Sequence, residues 1–175
     1  MEGEVDFASL VDRHYGALYR FALSLTRTEP DACDLVQDVF QTWAEKGRQL
    51  QDPTKVRSWL FTTMHRNFLK RQQRVVRFPE VELGAAELDL PALPFALVER
   101  MDGRLAMELL GRVDEQFRAP VALFYLEDCS YLEIADILEI PLGTVKSRIA
   151  RGLAQLRRLL LKGSEAGRQT GGKQS

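Results

Sequence analysis

The sequence predicts an all-α protein of two small helical domains, an N-terminal helical bundle and a C-terminal helix-turn-helix domain, joined by a flexible linker. Apolar residues recur at three- and four-residue steps along successive segments, the signature of helices with one buried stripe. An acidic segment carrying Pro79, Pro91 and Pro94 separates those segments into an earlier and a later group. Charge is divided in the same way. Residues 1–54 carry net −5, residues 55–77 net +7, residues 78–139 net −10 and residues 140–175 net +7, within a chain of net −1.

Phe7, Leu10, Val11, Tyr15, Leu18, Tyr19, Ala22 and Leu25 predict a first helix packed on a second. The two are broken at Glu29-Pro30-Asp31, where a proline suits the opening of the next helix. From Asp31 to Glu45 the buried stripe is Leu35, Val36, Val39, Phe40 and Trp43. The opposite face gathers Asp34, Gln37, Asp38 and Gln41, an acidic and amide patch suited to a basic or polar protein helix and not to DNA. From Ser58 to Arg74, Phe61, Met64 and Phe68 form the core stripe, with Thr63, Arg66, Asn67, Lys70 and Arg74 opposite. Trp59 falls on the basic side and leaves two readings open. It either stacks on an unpaired base, worth roughly 1–3 kcal/mol, or covers the core where the chain enters the helix.

Residues 76–100 read as the linker, with a short helical turn at Gly84 to Leu88. The stretch from Ser130 to Arg158 then reads as two helices in tandem. Ile134, Ala135, Leu138 and Ile140 face a core, a turn falls at Glu139 to Gly143, and Val145, Ile149, Gly152, Leu153, Leu156 and Leu160 form the stripe of the second helix. In a helix-turn-helix the start of the second helix meets base edges. Thr144, Lys146, Ser147 and Arg148 stand where donors are wanted, Arg151 shares their face, and Arg157 and Arg158 suit phosphates. The residues from Gly163 onward read as a flexible tail.

Function classes narrow on the same residues. Two basic blocks in an acidic background fit a two-point grip on nucleic acid. Cys33 and Cys129 lie far apart, and His14 and His65 are isolated, so no metal-ligand spacing exists. No clustered paired carboxylates and no phosphate-cradling glycine loop occur, which argues against an enzyme; no metal or cofactor is expected. No apolar run approaches the ~20 residues of a membrane span, and the start of the chain is acidic where a signal peptide is basic. A cytoplasmic protein without direct membrane insertion is expected.

Two motif sets carry a family resemblance. Gly143-Thr144-Val145-Lys146-Ser147-Arg148 resembles the −35 reading helix of extracytoplasmic-function (ECF) sigma factors, of the sigma-70 superfamily. Asp34-Leu35-Val36-Gln37-Asp38-Val39-Phe40, together with the segment Val56 to Asn67, resembles their core-binding and −10 region. The resemblance implies region 2 at 1–75, the linker at 76–100, region 4 at 101–162 and the tail at 163–175. It also implies a non-catalytic promoter-specificity subunit whose partners are core RNA polymerase, double-stranded promoter DNA, the melted −10 single strand and an anti-sigma factor. Asp34, Gln37, Asp38 and Gln41 would face core polymerase, and the loop from Gly47 to Lys55 would hold a flipped −10 base. Trp59, Arg66, Asn67, Lys70 and Arg71 would meet −10 DNA, and Thr144, Lys146, Ser147, Arg148 and Arg151 the −35 element. Cys33, Lys70 and Glu139 depart from the family's pattern. Glu139 takes a turn position usually held by Gly or Asn, where a left-handed backbone would cost of order 1 kcal/mol. The linker would reach ~80 Å fully extended but average ~25–30 Å as a free coil. The free chain is thus expected to be more compact than the DNA-bound form, with its basic faces occluded. The rival reading is a stand-alone helix-turn-helix transcriptional regulator, which leaves the acidic patch and the first basic helix without a purpose.

Overall fold

A computed structural model of the protein describes residues 6–75 and 102–170. The expected linker with its helical turn at Gly84 to Leu88, and residues 171–175 of the expected tail, lie outside the described residues. Within them the chain forms α1 (Phe7–Thr26), α2 (Glu29–Lys46), α3 (Val56–Val75), α4 (Gly103–Leu110), α5 (Glu115–Tyr125), α6 (Tyr131–Leu138) and α7 (Leu142–Thr170). Two 3-10 turns, Gly47–Gln49 and Pro53–Lys55, connect α2 to α3.

Local chemistry sets the helix ends. The Asp6 carboxylate accepts from the Ser9 backbone N–H at 3.1 Å and caps α1, which stops where Arg27 turns left-handed at φ 65°. Pro30 then sits in the first turn of α2, where its missing N–H costs nothing. At α6, Ser130 Oγ accepts from the Glu133 N–H at 3.2 Å while the Glu133 carboxylate accepts from the Ser130 N–H at 2.7 Å.

Helices α1, α2 and α3 enclose one core, with Leu18, Phe21, Leu35, Val36, Val39, Leu60, Phe61 and Met64 all buried. Phe21 meets Phe61 edge to face at 5.4 Å between centroids. The expected stripe of α1 needs correction at its first half. Phe7 is 47% exposed and Tyr15 43% exposed, with Tyr15 stacked on Tyr19 one turn along, whereas Phe21, outside the expected stripe, is fully buried. The reason is that α1 packs on α2, α3 and α5 at once, so its second half buries more than one face.

Helices α4 to α7 form the second half. At Gly152 of α7 the helices approach closely: an added Cβ would lie 2.4 Å from Val121 Cγ2 and 3.1 Å from Phe117 Cβ. The tail expectation is also corrected: α7 continues past Gly163 to Thr170. Glu165, Ala166, Arg168 and Gln169 are good helix formers, and they outweigh two glycines when elongating a helix already nucleated.

The two halves pack against each other: α5 lies on α1, and α6 lies on α3. Buried Arg118 donates to the Val113 carbonyl in its own half at 3.0 Å and to the Leu25 carbonyl across the junction at 3.3 Å. Arg20 grips Glu127 through Nε and Nη2, both at 3.1 Å. Arg57 donates to the Glu127 carbonyl, and Arg66 pairs with Glu139.

Candidate nucleic-acid interface

The loop between α2 and α3 is built to leave a hollow. Gly47 is required there because an added Cβ would lie 2.5 Å from the Trp43 ring, so the chain turns directly over the indole. Asp52 fixes the second turn by accepting from the Thr54 N–H at 2.9 Å and the Thr54 hydroxyl at 2.6 Å. The side-chain bond from Thr54 holds the Asp52 carboxyl below the usual carboxylate range. Beneath these turns, Trp43 and Trp59 meet edge to face at 5.1 Å and 80°.

The result is a cavity of about 390 Å³ with Trp59 in its wall. Lys46, Arg66 and Lys70 supply cations to its lining, Gln49 and Asn67 supply amides, and Thr42, Thr63 and Leu50 complete it. Among the described residues no carboxylate lines it. A flat ring with acceptor edges, attached to an anionic backbone, matches this mixture of an aromatic wall, amide donors and cations. Of the residues expected at the −10 element, the structure brings Trp59, Arg66, Asn67 and Lys70 together here. Trp59 packs on Trp43, as expected of a residue covering the core, and also lines the cavity. Lys46 and Thr42 were missed; their signal is the helical spacing that carries the Asp38 face of α2 on through Thr42 to Lys46.

Arg71 is placed elsewhere. Its guanidinium pairs with Asp38, so a residue expected to meet DNA and one expected to meet polymerase neutralise each other across α2 and α3. Asp34, Gln37 and Gln41 are exposed on the same face of α2, and Gln41 donates to Glu45 at 3.4 Å.

In the second half, α6 ends at Glu139, which adopts the left-handed conformation (φ 57°, ψ 41°) expected of that turn position. The Ile140 N–H reaches the Ala135 carbonyl at 3.2 Å, and α7 begins at Leu142. Thr144, Ser147, Arg148 and Arg151 are half-buried on the first turns of α7, with Lys146 exposed. Ser147 Oγ donates to the Thr144 carbonyl at 3.1 Å. Across the junction, His65 of α3 is pushed down to about 4, mainly by burial and further by the charge of Arg148, with Glu139 opposing. The Glu139 carboxylate in turn accepts from Arg66 Nε at 3.1 Å and Nη2, and this bond holds its own pKa down and that of Arg66 up. Helix α3 thus meets the second half through α6 and the turn that follows it, where Glu139 pairs with Arg66. Among the described residues no helix is long and apolar enough to cross a membrane.

Comparison with known proteins matches residues 10–77 to sigma-70 region 2 and residues 104–156 to sigma-70 region 4. The chain is 35% identical over 162 residues to the ECF RNA polymerase sigma factor SigE of Mycolicibacterium smegmatis, covering 89% of this chain and 62% of that protein. It is 31% identical over 155 residues to the ECF RNA polymerase sigma factor SigL of Mycobacterium tuberculosis, covering 85% of each. Its fold is similar to that of the sigma factor RpoE from Bartonella quintana, solved with the anti-sigma factor NepR. There the TM-score is 0.66 at 24% identity, covering 89% of this chain and 96% of that one. It is also similar to CnrH, solved with the cytosolic domain of CnrY, with a TM-score of 0.63 at 28% identity over 91% of this chain and 90% of that one.

Proposed function

Because the chain belongs to the ECF group of the sigma-70 family, we propose that it is a cytoplasmic, non-catalytic subunit that binds core RNA polymerase and directs promoter-specific transcription initiation. It reads the −35 element as duplex through Thr144, Lys146, Ser147, Arg148 and Arg151, and holds the melted −10 strand through Trp59, Arg66, Asn67 and Lys70. The observation that carries this reading is the cavity under the α2–α3 loop, about 390 Å³ with an aromatic wall and, among the described residues, a mainly donor-bearing lining without carboxylates. An extruded base costs a few kcal/mol of lost stacking and pairing. Contact with Trp59 and hydrogen bonds from Gln49, Asn67 or Lys46 would offset that cost. Asp34, Gln37 and Gln41, exposed on α2 opposite its core stripe, form the surface toward core polymerase, with Asp38 shared between that surface and Arg71.

Arg71 accordingly acts as a positioning partner of Asp38 until DNA competes for it. A partner of the anti-sigma class fits this reading as well, since a solved neighbour, RpoE, is bound to the anti-sigma factor NepR. A stand-alone regulator is disfavoured, because it gives no role to the region 2 match over residues 10–77.

Paired substitutions separate the two surfaces. Arg148→Ala should relax discrimination at one −35 base pair by about 1–3 kcal/mol, read by competition binding of the polymerase-bound protein to promoters substituted one base at a time. Asp34→Arg should weaken association with core polymerase, read by co-purification, while base preference in the remaining complex stays unchanged. Equal loss of both activities in both variants would count against separate surfaces.

A further inference from the structure

Polar groups lie at two depths in the cavity under the α2–α3 loop. Lys46 and Lys70 are exposed at its mouth, whereas Thr42, Thr63 and Asn67 are half-buried in its walls beside Trp59. The anionic backbone of a nucleic-acid strand stays with the cations at the mouth. A base entering from that backbone therefore leads with the edge farthest from its sugar. At that edge adenine and cytosine carry an exocyclic amine, a donor, where guanine and thymine carry a carbonyl oxygen, an acceptor.

We propose that the cavity selects a base with an amine at that edge, adenine or cytosine, and that Thr42 is the residue that makes the choice. This rests on the assignment of the cavity to an extruded −10 base.

A threonine hydroxyl has one proton to donate and two lone pairs that accept. Thr42 Oγ1 donates its proton to the Asp38 carbonyl one turn back in α2, at 2.7 Å. With that proton committed, the oxygen offers a ligand only lone pairs, and the group it binds is a donor. A base amine supplies one. A base carbonyl would set lone pair against lone pair, or require the hydroxyl to leave Asp38 and forfeit that bond.

The rest of the lining tolerates either edge. The amides of Gln49 and Asn67 each hold a donor and an acceptor, and turning the amide over matches it to an amine or to a carbonyl. Lys46 and Lys70 are flexible donors, and every base offers them an acceptor. Trp59 holds a base without choosing it, because every base has a π-face. Thr42 differs in that a second bond, inside its own helix, fixes it as an acceptor.

The test uses the full chain with core polymerase and a promoter taken from run-off transcription, its −10 segment pre-melted as a bubble so that pairing strength does not enter. Each −10 position of the strand held by the chain is replaced in turn by an abasic unit, by each natural base, and by purine or pyrimidinone, which are adenine and cytosine without the amine. Fluorescence anisotropy reads the affinity. At one position an abasic unit should weaken binding and so mark the extruded base. There, wild type should prefer adenine over purine, and cytosine over pyrimidinone or thymine, by about three- to tenfold. Thr42→Val, which puts a methyl group in place of the hydroxyl, should bring these preferences below about twofold, with circular dichroism and core binding retained. Thr42→Ser, which keeps the hydroxyl, should restore them. Equal affinity for a base and its amine-free analogue in wild type, or a preference undiminished in Thr42→Val, would overturn the selection. An abasic unit without effect at every position is a different result, and would overturn the assignment of the cavity to an extruded base.

Discussion

Phe61→Ala is expected to destabilise the N-terminal half by about 3–5 kcal/mol. Phe61 is 1% exposed, meets Phe21 edge to face at 5.4 Å, and carries the Arg57 guanidinium 5.3 Å above its ring. Truncation leaves a void where α1 and α3 meet and loses an aromatic pair worth about 0.5–1.5 kcal/mol beyond its buried area. Against a typical total of about 5–15 kcal/mol, this is a large share. Function should follow stability, because Phe61 anchors the helix whose opposite face presents Arg66 and Asn67. Urea denaturation followed by circular dichroism measures the loss, and a change below about 1 kcal/mol would show that the site repacks and that α3 is not held by this contact.

Gly152→Val should damage the other half. The added Cβ alone would lie 2.4 Å from Val121 Cγ2 and 3.1 Å from Phe117 Cβ, so α5 and α7 must move apart to admit the side chain. Overpacking of this kind costs about 1–3 kcal/mol or more. The gain from replacing a helical glycine, at most ~1 kcal/mol, does not offset it. Because α5 packs on α7, the −35 binding proposed for α7 should fall along with the melting temperature. Gly163 offers an internal comparison, since it lies in the same helix with nothing within 4 Å of an added Cβ. Gly163→Ala should therefore be neutral or stabilise by up to ~1 kcal/mol. If thermal melting ranked the two variants alike, close packing at Gly152 would not be the cause.

Much of the fold was legible because it is local. The stripe Val145, Ile149, Leu153 and Leu156 is buried as its spacing requires, and so are Leu35, Val36, Val39, Phe40 and Trp43. The helix-turn-helix turn could be located, left-handed Glu139 included, because backbone chemistry acts over a few residues. Phe21 escaped notice for the opposite reason: its burial depends on helices α1 meets only in three dimensions, and a one-stripe rule cannot anticipate them. The site divides along the same line. Trp59, Arg66, Asn67 and Lys70 share a face of one helix and could be grouped by periodicity, whereas the pairing of Arg71 with Asp38 joins residues 33 positions apart. Arg66 with Glu139 spans 73 positions and Arg20 with Glu127 spans 107. Only packing brings those groups together. Glu139 stood out in the sequence as an ill-suited turn residue, and its partner in the other half supplies a reason for its presence.

The proposed function stands or falls on promoter specificity conferred on core RNA polymerase, which run-off transcription on a promoter library reads without intermediary. With core enzyme and this chain, purified free of other polypeptides, transcripts should start from a subset of promoters sharing a −35 and a −10 sequence at fixed spacing. They should be absent when either component is omitted. No transcript from any promoter in the library, with the same core enzyme active alongside another sigma factor, would contradict that function.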